Sequence, residues 1–265
     1  MTRTAFPPHQ ETEAFVHAQI AMAVPRISVI VPAMNEAENL PHVLPRIPAW
    51  VDEVVLVDGN STDDTIAVAK ALLPSIVVVQ QEGRGKGAAL RTGFNASHGD
   101  IILTLDADGS ADPGEISAFV GALLAGADFV KGSRFLQGGE TVDMEWYRKL
   151  GNWGLLQLVR LRFGGKYTDL CYGYNAFWRD VLPYLDIEDA TGFEIETEMN
   201  VQALRANLSV NEVASKEKRR IHGTSNLRTF PDGWRVLKSI VRLGWVRARA
   251  APVNRPILKM RQHGA

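Results

Sequence analysis

The chain has 265 residues, of which 46% are hydrophobic and 22% charged. That is enough apolar material for a sizeable core, and it excludes a disordered chain and a membrane bundle. A single cysteine, Cys171, excludes an internal disulfide framework and a Cys-rich zinc site.

The formal charge of −1 is unevenly spread. Residues 216–265 hold thirteen Lys or Arg against two acids, a net +11, whereas residues 1–215 carry −12. A basic end of that strength is expected to meet an anionic partner: nucleic acid, a phosphorylated substrate or a membrane surface. No apolar run approaches the ~18 residues of a membrane-spanning helix. Pro7, Pro8, Glu11 and Glu13 interrupt the N-terminus where a signal peptide needs unbroken apolar residues. The expected setting is therefore cytoplasmic.

Residues 1–24 lack a clear period, apart from a short helical pattern between Glu13 and Ala23. Ile27 to Val31 is a β-branched run ending at Pro32, which predicts a buried strand. Asn35 to Leu40 is expected to open a helix, with acids in its first turn. Val54 to Val57 is a second strand, stopped by Asp58-Gly59-Asn60-Ser61. Thr62-Asp63-Asp64-Thr65 then caps a helix reaching about Leu73. Ile76 to Val79 is a third strand. Gly85 to Ala96 reads as a helix, and Ile101 to Leu105 as a fourth strand broken by Asp106-Ala107-Asp108-Gly109. Pro113 introduces a helix over 115–125, and Phe129 to Gly132 is a fifth strand.

Alternating short apolar strands and helices, without hairpin dipeptides, predict an α/β, Rossmann-like, mainly parallel sheet flanked by helices. Ligands of such sheets bind beyond the carboxyl ends of the strands. Strands one, two and four end in Asn35/Glu36, Asp58/Asn60 and Asp106/Asp108. Three strand ends thus aim acids and amides at one crevice.

The second half is expected to pack on the first with a more helical pattern. Trp146 to Arg162 reads as an amphipathic helix, with Trp146, Leu150, Trp153, Leu156, Leu158 and Leu161 among its apolar positions. Residues 167–178 are dense in aromatics, residues 192–206 read as a helix, and residues 209–221 as a strand pair or a strand plus loop. Over 231–249 helical spacing sets Trp234, Leu237, Ile240, Val241, Gly244 and Trp245 on one side, with Arg235, Lys238, Arg242 and Arg249 elsewhere.

Asp106-Ala107-Asp108 is the strongest local signal. Two carboxylates one residue apart on a turn can share Mg²⁺ or Mn²⁺ with a nucleoside diphosphate, since such hard cations take one or two protein carboxylates plus phosphate oxygens. The same acids can also simply cap the following helix. Gly83-Arg84-Gly85-Lys86-Gly87 matches neither the dinucleotide nor the P-loop spacing, yet it is a turn that lets Arg84 and Lys86 approach a nucleotide. Lys131 and Arg134 close the fifth strand, and Arg134 suits a bidentate grip on phosphate.

Val31-Pro32-Ala33-Met34-Asn35-Glu36, Val57-Asp58-Gly59-Asn60-Ser61-Thr62-Asp63, Gly85-Lys86-Gly87, Asp106-Ala107-Asp108 and Gly132-Ser133-Arg134 occur in order. Together they resemble the family 2 glycosyltransferases, which have the GT-A fold. Thr168-Asp169-Leu170, Gly173-Tyr174-Asn175-Ala176-Phe177, Gly192-Phe193-Glu194-Ile195-Glu196 and Arg220-Ile221-His222-Gly223-Thr224-Ser225 are similar to the dolichyl- or polyprenyl-phosphate mannosyl- and glucosyltransferase branch. Three positions depart from the pattern. Gly59 stands where many members have a second acid, Ser110 where the branch often has Gln, and Asn226 where Lys is frequent.

The resemblance implies a catalytic domain over 26–230, an extension at 1–25 and a basic amphipathic helix and tail at 231–265. Pro32, Glu36 and Asp58 would meet the base and ribose of a nucleoside-diphosphate sugar, with Asn35 and Asn60 also among the donor-binding residues. Asp106 and Asp108 would hold the divalent metal. Arg84, Lys86, Arg134, Arg220, His222 and Ser225 would meet phosphate or sugar. The implied reaction is inversion by in-line attack of an acceptor oxygen. A polyprenyl phosphate, with its second pKa near ~6, is already nucleophilic. A sugar or small-molecule hydroxyl would need a base, for which Glu196, then Glu194, then Asp169 are candidates. Both glutamates also suit the first turn of a helix. The 231–249 helix, with its tryptophans and cations, is suited to an anionic membrane interface. A nucleic-acid partner is not expected, since it would leave the strand-end acids without a task.

Overall fold

A computed structural model describes residues 24–142, 144–225 and 227–245. The helical pattern of 13–23 and the basic tail of 246–265 lie outside the described residues. The first half alternates as expected: β1 (Ile27–Ala33), α1 (Leu40–Val43), β2 (Glu53–Asp58), α2 (Thr65–Leu72), β3 (Val77–Gln80), α3 (Lys86–Ala96), β4 (Ile101–Thr104), α4 (Ile116–Leu124) and β5 (Phe129–Ser133). Val29, Ile30, Val31, Val55, Leu56, Val57, Ile101, Ile102 and Leu103 are fully buried. Consecutive residues point to opposite faces of a strand, so both faces of the sheet are covered.

The remaining described elements are β6 (Glu140–Thr141), α5 (Trp146–Phe163), β7 (Asn175–Trp178), α6 (Leu182–Leu185), α7 (Glu194–Arg205), β8 (Val210–Ala214), β9 (Lys216–Glu217) and α8 (Thr229–Trp245). The main sheet runs β3-β2-β1-β4-β7-β5-β8, and β6 pairs with β9 in a small second sheet. Four of the six pairings in the main sheet are parallel; β7 runs antiparallel to β4 and β5. The aromatic segment therefore supplies a central strand. Phe177 stacks on Phe129 at 5.8 Å and meets Phe94 edge-on at 5.4 Å. Because β7 is reversed, Gly173 just before it lies beside the carboxyl end of β4, its carbonyl accepting from Thr104 Oγ1 at 2.6 Å.

Two local expectations change. The helix expected from Asn35 begins only at Leu40, because Asn35 is left-handed with φ 58°. Pro45 has no N–H to continue α1, and the chain tightens into a 3₁₀ turn at Leu44–Arg46. Residues 209–221 hold two strands of different sheets, joined at buried Ser215, whose N–H donates to Ser133 O at 2.9 Å.

The apolar side expected over 231–249 is split between core and surface. On α8 the inward stripe is Asp232, Val236, Ser239, Ile240 and Leu243, which packs with Leu156, Val159, Tyr167, Leu170 and Val201. Those positions follow the i, i+4, i+7, i+11 spacing of one helix face. Trp234, Val241 and Trp245 lie outside it and stay exposed, while Ile240 turns inward away from them. On α5 Leu156 packs inward, but Trp146, Leu150, Trp153 and Leu161 face outward.

Candidate active site

The ends of β1 and β2 are stitched together by side chains. Asn35 accepts from the Thr62 N–H at 2.8 Å and donates its own N–H to Ser61 Oγ at 3.0 Å. Asp58 is buried and accepts from the Ser61 N–H and from Gln80 Nε2, both at 3.2 Å. Gln80 Nε2 also donates to Asn60 Oδ1 at 2.9 Å. Gln80, on the edge strand, thus fixes both polar groups beyond β2. Sequence reasoning missed it, because a lone amide at a strand end carries no motif. Pro32 is partly buried near the end of β1. A cavity of about 450 Å³ opens between Asn35, Asn39, Asp63 and His222.

The segment 218–223 crosses the Asp106–Ser110 turn. Lys218 N–H donates to Ser110 O at 2.8 Å, and Ile221 N–H to Asp108 O at 3.2 Å. Arg220 donates from Nη2 to Glu36 Oε1 at 2.6 Å, and its Nη1 stands 3.5 Å from Asp108 Oδ2. His222 is held through its backbone: its N–H donates to Asn39 Oδ1 at 2.8 Å, and its carbonyl accepts from Arg220 Nε at 2.6 Å. Burial raises the Glu36 pKa above its ordinary value, against the opposing pull of Arg220 and Asn39. Ser225 is exposed, and its Oγ accepts from the Leu227 N–H at 3.2 Å.

The glycine-rich turn has a definite task. A Cβ on Gly87 would lie 2.2 Å from Ala190 O, so glycine lets this turn press against the segment leading into α7. That contact brings Lys86 to α7. Lys86 Nζ stands 2.7 Å from Asp106 Oδ1 and 2.5 Å from Glu196 Oε1. Burial would lower the Lys86 pKa, but Asp106 and Glu196 outweigh it and raise it. Burial raises the Glu196 pKa; Lys86 works against that and Asp106 adds to it. A Cβ on Gly173 would come within 2.7 Å of Glu196 Oε1 and Lys86 Nζ, and 2.9 Å of Asp106 Oδ2. The chain just before β7 therefore walls this cluster and leaves no room for a side chain at Gly173. Arg84, by contrast, is exposed on the turn.

Two other expected site residues meet each other. Asp169 is fully buried and accepts from Arg134 Nε at 2.6 Å and Nη2 at 3.0 Å. Arg134 Nη1 reaches Glu217 Oε1 at 2.9 Å, and the guanidinium lies 4.9 Å from the Tyr172 ring. Burial opposes the Asp169 carboxylate, but Arg134 outweighs it and lowers its pKa. Both groups are thus directed into the protein. Lys131 lies fully buried, donating to Tyr172 O, and burial lowers its pKa. Glu194 folds back on its own turn, Oε1 accepting from the N–H groups of Thr191 at 3.0 Å and Gly192 at 2.9 Å.

The crevice therefore gathers Glu36, Lys86, Asp106, Asp108, Glu196 and Arg220. The side chains of Asp106 and Asp108 are 28% and 22% exposed, open enough to accept a ligand. Asp106 uses Oδ1 on Lys86, and Asp108 uses Oδ1 on the Ser110 N–H at 2.9 Å. Among the described residues no cluster of three His, Cys, Asp or Glu side chains forms a ready-made cation cage. Two hard carboxylates without a cage fit a Mg²⁺ or Mn²⁺ that draws its other ligands from phosphate and water.

The family model for Glycosyl transferase family 2 matches residues 28–185. The chain is 33% identical to a polyprenol monophosphomannose synthase of Mycolicibacterium smegmatis over 214 residues, covering 76% of this chain and 81% of that one. It is 32% identical to an undecaprenyl-phosphate mannosyltransferase of Micrococcus luteus, covering 71% and 82%. The fold is similar to glucosyl-3-phosphoglycerate synthase of Mycobacterium tuberculosis solved with Mn²⁺, UDP and phosphoglyceric acid: TM-score 0.68, 24% identity, 92% of this chain and 85% of that one. The same enzyme solved with Mg²⁺ and UDP gives TM-score 0.66 at 25% identity, covering 91% and 85%. The alternating sheet, the reversed β7 and the acids beyond β1, β2 and β4 are thus the frame of a GT-A enzyme, and the chain belongs to the family 2 glycosyltransferases.

Proposed function

We propose that the chain moves a hexose, with inversion, from a nucleoside-diphosphate sugar to a polyprenyl phosphate. Asp106 and Asp108 would hold the divalent Mg²⁺ or Mn²⁺, which would supply charge to offset that on the departing diphosphate. Pro32, Asn35, Glu36, Asp58 and Asn60 receive the base and ribose. Arg220, with the His222 backbone beside it, faces the phosphates from the crossing segment. The two mannosyltransferases named above support the lipid-phosphate acceptor, and the UDP complexes of the similar fold support the donor class.

One observation carries the choice of acceptor: each candidate base already has a partner. Glu196 is paired with Lys86, Glu194 is held through Oε1 by two backbone N–H groups with its Oε2 sealed from solvent, and Asp169 is paired with Arg134. A hydroxyl acceptor needs a poised base. A phosphate monoester does not, being largely dianionic above pH ~6. The test is transfer of labelled hexose from UDP-, GDP- or dTDP-sugars with Mn²⁺ into an organic-extractable prenyl phosphate. Transfer to a soluble hydroxyl alone, abolished by Glu196→Gln, would replace this reading with the hydroxyl one.

The proposed acceptor places the enzyme at a membrane surface. Trp146, Leu150, Trp153 and Leu161 of α5 are 58–88% exposed, as are Phe230, Trp234 and Trp245 of α8. Tyr147 of α5 stacks on Phe230 of α8 at 6.2 Å, joining the two helices at that face. α5 contains Arg148, Lys149, Arg160 and Arg162 and no acid, and residues 246–265 add five Lys or Arg with none. Exposed tryptophans among cations suit an anionic bilayer interface. No helix among the described residues is long and apolar enough to cross a membrane. Sedimentation with phosphatidylglycerol vesicles should retain the chain, and Trp153→Ala with Trp245→Ala should release it.

A further inference from the structure

Both carboxylates of the Asp106–Asp108 pair already face a protein cation. Lys86 stands on Asp106 and Arg220 on Asp108. The two contacts differ. Lys86 is within 2.7 Å of Asp106 and is simultaneously held by Glu196 at 2.5 Å. Glu196 is buried in the first turn of α7, so the ammonium has one fixed carboxylate and one that borders the crevice. The Phe193 ring lies 5.6 Å from the ammonium, and the Gly173 backbone closes the remaining side. The lysine side chain is 13% exposed, so its charge is only weakly screened by water.

We propose that Lys86 is a resident counter-cation of Asp106 that gives up this carboxylate to the divalent metal and, tethered by Glu196, turns its ammonium to the phosphate oxygens at the reaction centre. The inference rests on the metal-dependent reading of Asp106 and Asp108. Asp106 occupied by a doubly charged cation would repel an ammonium a few ångströms away, while Glu196 keeps that ammonium from leaving the crevice. Three N–H donors on a flexible stem then serve a diphosphate or an acceptor phosphate. Glu196 is in this view a positioning residue for Lys86. The same lysine that shields the acids before the donor arrives thus offsets phosphate charge afterwards.

The experiment measures Mn²⁺ binding to the full chain alone, from the free Mn²⁺ signal in electron paramagnetic resonance. Lys86→Met removes the competing charge and should tighten Mn²⁺ binding by about tenfold. Lys86→Gln keeps amide donors for both carboxylates and should do the same, so the reading survives a Met variant that does not fold. Lys86→Arg keeps the charge and should bind Mn²⁺ like the parent. Unchanged or weaker binding in folded Lys86→Met or Lys86→Gln, or tightening by Lys86→Arg as well, overturns the inference while leaving the metal reading intact. No Mn²⁺ binding by the parent even with UDP or GDP present, or full binding by Asp106→Asn, overturns both. In the same variants, weaker UDP or GDP binding with Mn²⁺ present assigns the ammonium to the departing diphosphate. A raised KM for a short-chain prenyl phosphate with nucleotide binding unchanged assigns it to the acceptor. Parent-like values of both overturn the second half of the proposal.

Discussion

Arg134–Asp169 and Lys86–Asp106 join the same two kinds of charge, and the fold treats them in opposite ways. Arg134 and Asp169 are sealed, with side chains 3% and 0% exposed, and they meet through two parallel hydrogen bonds. Asp169 also accepts from the Cys171 N–H, and Arg134 from its other side reaches Glu217. Every strong group there has a fixed partner, as a buried ion pair requires. Lys86 instead divides itself between two carboxylates, and one of them, Asp106, borders solvent. A planar bidentate pair fixes geometry; a point charge on a flexible stem can change partner. The first pair ties the end of β5 to the loop before β7, and the second stands where chemistry is expected.

The widest separation between the two should appear in stability. Arg134→Met leaves Asp169 charged and buried without its partner, and should cost about 3–5 kcal/mol in urea unfolding. Lys86→Met should cost clearly less, because Asp106 reaches water and Glu196 can take up a proton. Equal losses would erase the distinction between a structural clasp and an exchangeable pair. Activity should divide the other way. Asp108→Asn should lower kcat by roughly 10²–10³-fold, the scale of removing one electrostatic stabiliser, with the unfolding midpoint nearly unchanged. A stability loss matching that of Arg134→Met would mark Asp108 as another clasp.

This division was only partly legible in the sequence. Asp58 ends one apolar strand, and Asp106 and Asp108 follow another by two and four residues, so local pattern places them at strand ends. Partners are set by the fold. Glu36 and Arg220 are 184 residues apart, and nothing near either names the other. Arg134 and Asp169 look like crevice residues by motif, and only the bend of the loop before β7 turns them inward. β7 itself is four residues long and reversed, too short for a period to show its direction. Which apolar face of α5 and α8 turns inward was hidden for a different reason. Each helix has two apolar stripes, and periodicity does not say which one meets the core.

Acid titration separates the two regions by sign. Asp169 has its pKa lowered in the fold by Arg134, so its contribution is present above the ordinary value of 3.8 and is lost as pH falls through the lowered one. Glu196 has its pKa raised by burial, so its ionisation destabilises the fold as pH rises from 4.5 through the raised value. Unfolding free energies measured across the acid range should therefore lose an acid-side decline in Asp169→Asn. Glu196→Gln should lose a decline on the neutral side. The same slope change in both variants would contradict the opposite shifts.

The smallest expected effect sharpens the comparison within one residue. Arg242 donates to Asp189 and, at 2.8 Å, to Glu198 Oε1. Asp189 is 78% exposed and Glu198 2%. Glu198 also accepts from Ser239 Oγ at 2.6 Å, and this buried group pins α8 to α7. An exposed ion pair is worth about 0–1 kcal/mol, because water screens it and ordering two side chains costs entropy. Asp189→Asn should therefore shift the urea midpoint barely at all, and added salt should abolish what shift there is. Glu198→Ala should cost more, since it strands the Ser239 hydroxyl and leaves a void between the helices. If Asp189→Asn proved the costlier change, exposure would not be what divides holding pairs from exchangeable ones, and the contrast between Arg134 and Lys86 would need another cause.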